Sequence, residues 1–277
     1  METARRFAGK VALVTGASGG LGRACALRLA REGARIAVHY HASGDAARQT
    51  LALLEQQGGS GVLVTADNRD RQSVHRAVAS VIDQLGRIDV LVNNAGRHRL
   101  ARSLEQDQPD WDDLIGRNLS GTFFFAQAAA KHMIAARGGH IVNVASKMAT
   151  STAPSNAAYC AAKAGIVALT QVLAAEWARH GIRVNCVAPG VLATAAAQQM
   201  IDELGGGDVL RRCLVARTPI GRLGDVEEIA AAIAFVASGE ADFLTGSTLM
   251  IDGGWTSYGD YSGWGMVRSL MANRGQG

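Results

Sequence analysis

Short apolar runs rich in β-branched residues alternate along the chain with longer stretches whose apolar positions recur at helical spacing. Residues 10–15 (KVALVT) predict a first strand, and 21–32 a helix stopped by Gly33. A second strand follows at 35–40 (RIAVHY), then a polar helix over 45–57. The third strand is 61–66 (GVLVTA), with a helix over 70–85, and the fourth is 89–93 (DVLVN), with a long helical region over 111–137. Residues 140–145 (HIVNVA) give the fifth strand, 157–180 a helix, and 183–188 (RVNCVA) the sixth strand. A loop-rich stretch from 189 to 224 precedes a helix over 226–238 and a last strand near 248–251.

Strands that are apolar throughout, joined by helices, indicate βαβ units and a parallel sheet covered on both faces. Gly and Ser cluster only in turns, and no repeat, linker or low-complexity block interrupts the pattern. The expectation is an α/β protein: one doubly wound domain over residues 1–277, with a seven-stranded parallel sheet.

Composition narrows the function. A net charge of +4 on 277 residues is slight, and the basic residues are scattered without a run of five or six, which argues against a nucleic-acid footprint. Cys25, Cys160, Cys186 and Cys213 form no C-x-x-C pair and read as reduced thiols. The seven histidines contain no H-E-x-x-H and no i, i+4 pair, so no metal site is expected. The N-terminal residues lead straight into a strand without an apolar signal region, and no apolar run approaches the length of a membrane span; a soluble cytoplasmic protein is expected.

Directly after the first strand comes Thr15-Gly16-Ala17-Ser18-Gly19-Gly20-Leu21-Gly22, opening a helix. Glycines there let the backbone approach a pyrophosphate, and the helix start offers free N–H groups and a positive dipole end. Alone such a segment is often only a turn; its strand–turn–helix setting near the N-terminus makes it a dinucleotide site and the domain a Rossmann fold. The spacing is G-x-x-x-G-x-G, not the usual G-x-G-x-x-G. An acidic residue at the end of the second strand would bind the 2′-hydroxyl of NAD. This chain has Tyr40-His41-Ala42-Ser43 instead, with Asp45 already entering the helix. Tyr40, His41 and Ser43 are candidate contacts to a 2′-phosphate, so NADP(H) is preferred and NAD(H) possible; the other reading is that they only finish a strand.

Tyr159 and Lys163 are four residues apart in a strongly helical stretch and share a helix face. A free tyrosine ionises near pH ~10, and bringing it to about 7 takes roughly 4 kcal/mol of differential stabilisation, which an adjacent ammonium could supply. That tuning suits a general acid/base. With the glycine turn, Asn93-Asn94-Ala95-Gly96 after the fourth strand, Ser146 after the fifth and Pro189-Gly190 after the sixth, the sequence resembles the short-chain dehydrogenase/reductase family from about Phe7 to Trp255.

The resemblance implies a role at each matching position. Tyr159 exchanges the proton with the substrate oxygen, Lys163 lowers the tyrosine pKa and holds the nicotinamide ribose, and Ser146 polarises the substrate oxygen. Asn118 interrupts its helix and holds a water of the proton relay. Gly16, Ser18, Gly19, Gly20, Leu21 and Gly22 cradle the pyrophosphate. Asn94, Ala95 and Gly96 line the adenosine and ribose side, and Asp67 and Asn68 approach the adenine. Pro189, Gly190, Val191 and Thr194 face the nicotinamide end. The implied activity is hydride transfer between NADP(H) and a ketone or secondary alcohol, in the manner of the 3-oxoacyl-carrier-protein reductase branch of carbonyl reductases. The alternatives are an NAD-dependent sugar or polyol dehydrogenase and, behind it, a nucleotide-sensing scaffold. A homotetramer or homodimer is implied, with the apolar Phe123–Phe125 helix at a subunit contact.

Other segments carry expectations of their own. Arg97-His98-Arg99 is either a solvated loop or a reception site for an anionic substrate, and Lys147 has no assigned role. Substrate choice is expected from residues 97–107, 149–156 and a lid over about 191–217, with Gly205-Gly206-Gly207 as a hinge or plain loop. The tail 256–277, with Tyr258, Tyr261, Trp264, Met266 and Leu270, is expected to pack on its own or a neighbouring subunit.

Overall fold

The computed structural model describes residues 5–203, 205 and 207–257. Gly206 and the tail residues Tyr258, Tyr261, Trp264, Met266 and Leu270 lie outside the described residues.

The strands are β1 (Val11–Val14), β2 (Arg35–Tyr40), β3 (Gly61–Thr65), β4 (Val90–Asn93), β5 (Gly139–Val144), β6 (Ile182–Pro189) and β7 (Thr248–Ile251). They form a seven-stranded, wholly parallel sheet in the order β3-β2-β1-β4-β5-β6-β7. The order reverses beside β1, so the loops after β1 and β4 part to opposite faces and leave a crevice at the carboxyl ends, where ligands of such sheets bind.

The helices are α1 (Gly20–Arg31), α2 (Gly44–Gln56), α3 (Arg71–Leu85), α4 (Gln108–Ile115), α5 (Gly121–Ala135), α6 (Ala157–Trp177), α7 (Ala195–Glu203), α8 (Gly207–Ala216) and α9 (Val226–Ala237). On one face, Ala12, Val14, Ile36, Val38, Val92 and Val142 pack with α1, α2 and α9; on the other, Val11, Leu13, Ala37, Leu91 and Ile141 pack with α3, α5 and α6. Successive side chains of one strand thus enter two cores, which is why these strands show no polar alternation.

Helix caps set α1 apart from α3, α4 and α9. Asp70 caps α3 by accepting from the Gln72 N–H, Asp107 caps α4 by accepting from the Asp110 N–H, and Asp225 with Glu228 forms a capping box on α9. The N-cap of α1 is Gly19, which has no side chain to offer. Its first-turn N–H groups are left for another acceptor.

Two expectations are corrected. The helical region 111–137 is not continuous: residues Gly116–Ser120 form a π-turn between α4 and α5, in which the Gly121 N–H reaches back to the Gly116 carbonyl. The stretch 189–224 is not mainly loop, since it contains α7 and α8. Thr194 starts α7 by accepting from the Ala197 N–H at 3.1 Å, and the alanines that follow are strong helix formers. Gly205 and Gly207, at φ +65° and +43°, separate the two helices.

Candidate active site

The crevice is built first by backbone. Thr15, at the end of β1, accepts hydrogen bonds on Oγ1 from the Asn94 and Ala95 N–H groups, both at 2.9 Å. The Asn94 side-chain amide donates back to the Thr15 carbonyl at 3.0 Å. These bonds clip the loops after β1 and β4 together at the point of reversal. Gly16 and Gly20 turn the chain at φ +64° and +50°. A Cβ on Gly22 would collide with the Gly16 carbonyl oxygen and lie 2.6 Å from Asn94 Nδ2, so this position accepts only glycine. The packed glycines and the open start of α1 form a cradle that fits a pyrophosphate.

Two supports of the turn escape a reading of its glycines. His39 Nδ1 accepts from the Gly16 N–H at 3.2 Å, which leaves the proton on Nε2 for the Ala66 carbonyl at 3.3 Å. Burial holds this ring down to about 4, so it stays a neutral acceptor. Arg23 donates to the Ser18 carbonyl at 2.8 Å and to Thr50 Oγ1 at 2.8 Å, tying the turn to α2. Leu21 is packed against the core behind the turn.

At the end of β2, Tyr40 is half-buried and His41 and Ser43 are exposed. Ser43 precedes α2 without capping it by its hydroxyl. The carboxylates nearby are already engaged: Asp45 pairs with Arg48, and Asp67 with Arg69 at 2.6 Å. The Arg69 guanidinium holds the Asp67 carboxyl down to about 2. His41 Nε2 lies 3.7 Å from the same carboxylate. Asn68 is buried under the start of α5, where a Cβ on Gly121 would come within 2.7 Å of its own Cβ.

The chemical groups converge beyond β4 and β5. Ser146 ends the β5 segment and accepts from the Met148 N–H at 3.1 Å. Its hydroxyl also lies near the Tyr159 phenol and pulls the phenol's pKa down. Lys163, one turn further along α6, is buried and donates to the Val144 carbonyl at 2.9 Å, with its ammonium 5.6 Å from the Tyr159 ring centre. Burial pushes the phenol up to about 12 against the pull of the Ser146 hydroxyl, and it pushes the ammonium down to about 8. The expected lowering of the phenol is therefore not produced by the protein groups alone. The hydrogen bond of the ammonium goes to β5, not to the tyrosine.

Asn118 sits at the centre of the π-turn, fully buried. Its side-chain amide donates to the Arg97 and Leu114 carbonyls, both at 2.9 Å, and its Oδ1 accepts from the Arg97 N–H at 3.3 Å. Its carbonyl accepts from the Thr122 hydroxyl at 2.7 Å. A Cβ on Gly96 would collide with Asn118 Oδ1 and lie 3.7 Å from Lys163 Nζ. Gly96, Asn118 and Lys163 therefore form one packed unit.

His98 is a site residue whose place the sequence did not reveal. Its ring meets the Tyr159 ring edge to face, with centres 4.7 Å apart, and its Nε2 is 2.6 Å from Asn156 Oδ1. Its neighbours point elsewhere: Arg97 lies 3.5 Å from Asp113, and Arg99 pairs with Asp110. Both arginines are half-exposed and lie against carboxylates of the α4 segment, as the solvated-loop reading expects.

The far wall comes from β6 and the segment that leads into α7. Pro189 ends β6, the Gly190 N–H donates to the Ile251 carbonyl at 2.9 Å, and a Cβ on Gly190 would come within 2.7 Å of the Asp252 Cα. The Val191 carbonyl accepts from the Gly224 N–H at 3.0 Å, joining the two ends of the segment that holds α7 and α8.

The comparisons with known proteins agree with this architecture. A family model described as enoyl-(acyl carrier protein) reductase matches residues 16–256. The chain is 44% identical to D-threitol dehydrogenase of Mycolicibacterium smegmatis over 91% of this chain and 94% of that protein. It is 38% identical to a 3-oxoacyl-acyl-carrier-protein reductase of Staphylococcus aureus over 88% of this chain and 97% of that protein. The crystal structure of a gluconate 5-dehydrogenase from Burkholderia cenocepacia in complex with NADP and tartrate superposes with a TM-score of 0.85 at 36% identity, covering 92% of this chain and 98% of that one. The chain belongs to the short-chain dehydrogenase/reductase family and is an NAD(P)-dependent oxidoreductase.

Proposed function

We propose that this enzyme interconverts a secondary alcohol and a ketone on a small polyhydroxylated substrate, with NADP(H) preferred and NAD(H) accepted. The observation that carries the reading is the grouping of Ser146 and Tyr159 beside the anchored Lys163, at the carboxyl ends of β4 and β5 and across from the open start of α1. The dinucleotide, when bound, supplies or takes the hydride. The protein's part is to hold the substrate oxygen between the Ser146 and Tyr159 hydroxyls and to pass one proton through the phenol. A phenol held near 12 by its surroundings is protonated at neutral pH, the form that donates to a ketone oxygen as it becomes an alcohol.

The substrate class rests on the likeness to D-threitol dehydrogenase and to gluconate 5-dehydrogenase. A carrier-bound acyl substrate fits less well, because Arg97 and Arg99 are paired within the chain. The NADP(H) preference rests on the end of β2, which brings no free carboxylate to the 2′ position. The same reading makes the protein a cytoplasmic homotetramer; Ile134 on α5 and Val172 on α6 are exposed apolar residues suited to a helix-to-helix subunit contact. Initial rates with NADPH and NADH on ketoses, keto acids and β-ketoesters test the proposal. Reduction of polyhydroxylated ketones, faster with NADPH, is expected; activity confined to acyl β-ketoesters, or faster with NADH, contradicts it.

A further inference from the structure

Lys147 follows Ser146 directly, yet takes no part in the chemistry above. Its side chain is 94% buried, being only 6% exposed, and its ammonium lies 3.6 Å over the Trp255 ring. The Arg217 guanidinium, just after α8, lies 4.7 Å from the same ring. Among the described residues, neither cation has a carboxylate within ion-pair distance or a hydrogen-bond acceptor for its charged head. A ring face attracts a cation but offers no lone pair to its N–H groups.

The nearest acid does not complete the set. Asp252 Oδ1 accepts from the Gly254 N–H at 3.0 Å, and its Oδ2 accepts from the Thr256 N–H and hydroxyl at 2.8 and 2.6 Å. The Trp255 indole Nε1 is buried and has no acceptor either. Lys147 and the exposed Arg217 thus both lie against Trp255, where the Ser146 turn, the end of the lid and the turn after β7 meet. The lid end is seated there: Cβ atoms on Gly253 and Gly254 would come within 2.7 Å of Thr218 and 3.1 Å of Pro219. Burying the Lys147 ammonium without an ion pair of its own, beside the exposed Arg217 guanidinium, is costly, and an incoming anion lowers that cost. Burial and then Arg217 push the Lys147 ammonium down to about 8, against the pull of the Asp252 carboxylate.

We propose that Lys147 and Arg217 form a subsite for the carboxylate of a polyhydroxy acid whose secondary carbinol is held by Ser146 and Tyr159. This rests on the oxidoreductase reading and narrows its substrate from polyols in general to sugar acids.

Matched pairs test it: D-threonate against D-threitol, and D-gluconate against D-glucitol. With NADP-loaded enzyme, the acid-to-polyol ratio of kcat/KM should exceed one in at least one pair. It should fall about ten-fold or more, through KM, in Lys147→Gln, and recover in Lys147→Arg, which restores the charge. Arg217→Gln should lower it about three-fold. An acid-to-polyol ratio that ignores Lys147→Gln, or the lack of any preference for the acid in both pairs, overturns the subsite. Calorimetric titration of the same NADP-loaded variants with the acids separates the two readings. Lys147-dependent acid binding without turnover of any alcohol keeps the subsite and refutes the oxidoreductase reading, whereas turnover with acid binding indifferent to Lys147 does the reverse.

Discussion

Lys163 gives its 2.9 Å hydrogen bond to the Val144 carbonyl, while the ring centre of Tyr159 lies 5.6 Å from the same ammonium. The lysine is thus fixed to the sheet and acts on the phenol across space. Ketone reduction needs the phenol protonated and the ammonium charged, and burial places these groups at about 12 and about 8. The kcat/KM for reduction should therefore be level at neutral pH and fall above about pH 8, as Lys163 loses its proton. Lys163→Met should remove that alkaline limb and slow reduction by about 100-fold. A pH–rate series on both proteins checks this.

Gly96→Ala drives a methyl group into Asn118 Oδ1, the atom that accepts from the Arg97 N–H. The side chain cannot yield without releasing its bonds to Arg97 and Leu114. Overpacking of this kind costs about 1–3 kcal/mol. Thermal unfolding should register that loss, and kcat should fall about ten-fold or more as the tyrosine and lysine lose their common support. A Tm and kcat both equal to the parent's would contradict the packed unit.

Stability should depend on acid in a defined window. His39 and His140 are both held down to about 4 by burial, whereas an unfolded histidine titrates near 6.5. Between these values the unfolded chain binds the extra protons, so stability is full above about pH 6.5 and is lost as pH falls toward 4. The slope is about 1.4 kcal/mol per pH unit for each ring where its two forms differ fully. Urea midpoints taken between pH 7 and 4.5 should show the fall, and His39→Asn should lessen it.

Arg97→Ala should leave the KM for acidic and for neutral ketones within about two-fold of the parent, because the guanidinium is held at Asp113 and not in the crevice. Steady-state measurement with one ketone of each kind is sufficient. A selective rise for the acidic ketone would restore the view of Arg97 as a reception residue.

The seven strands and their parallel direction were legible because each strand feeds two cores and must be apolar throughout, as Val11 to Val14 illustrate. Tyr159 and Lys163 were legible because four-residue spacing puts them on one helix face. What the sequence hid is tertiary. Nothing local in Thr15 or His39 says that they hold the loop after β4 or the Gly16 N–H, since those partners are distant in the chain. The lid helices were missed because glycines on either side of α8 read as loop, although the alanine run after Thr194 favours helix. The raised phenol of Tyr159 was missed because spacing reports the neighbouring cation but not the burial that outweighs it.

The central claim is that one phenol carries the proton. Tyr159→Phe removes a single oxygen and keeps the ring that packs against His98. With a ketone that the parent reduces, single-turnover oxidation of bound NADPH should slow by about 1,000-fold or more while the Kd for NADPH stays within about two-fold. Hydride transfer within ten-fold of the parent rate would contradict the account.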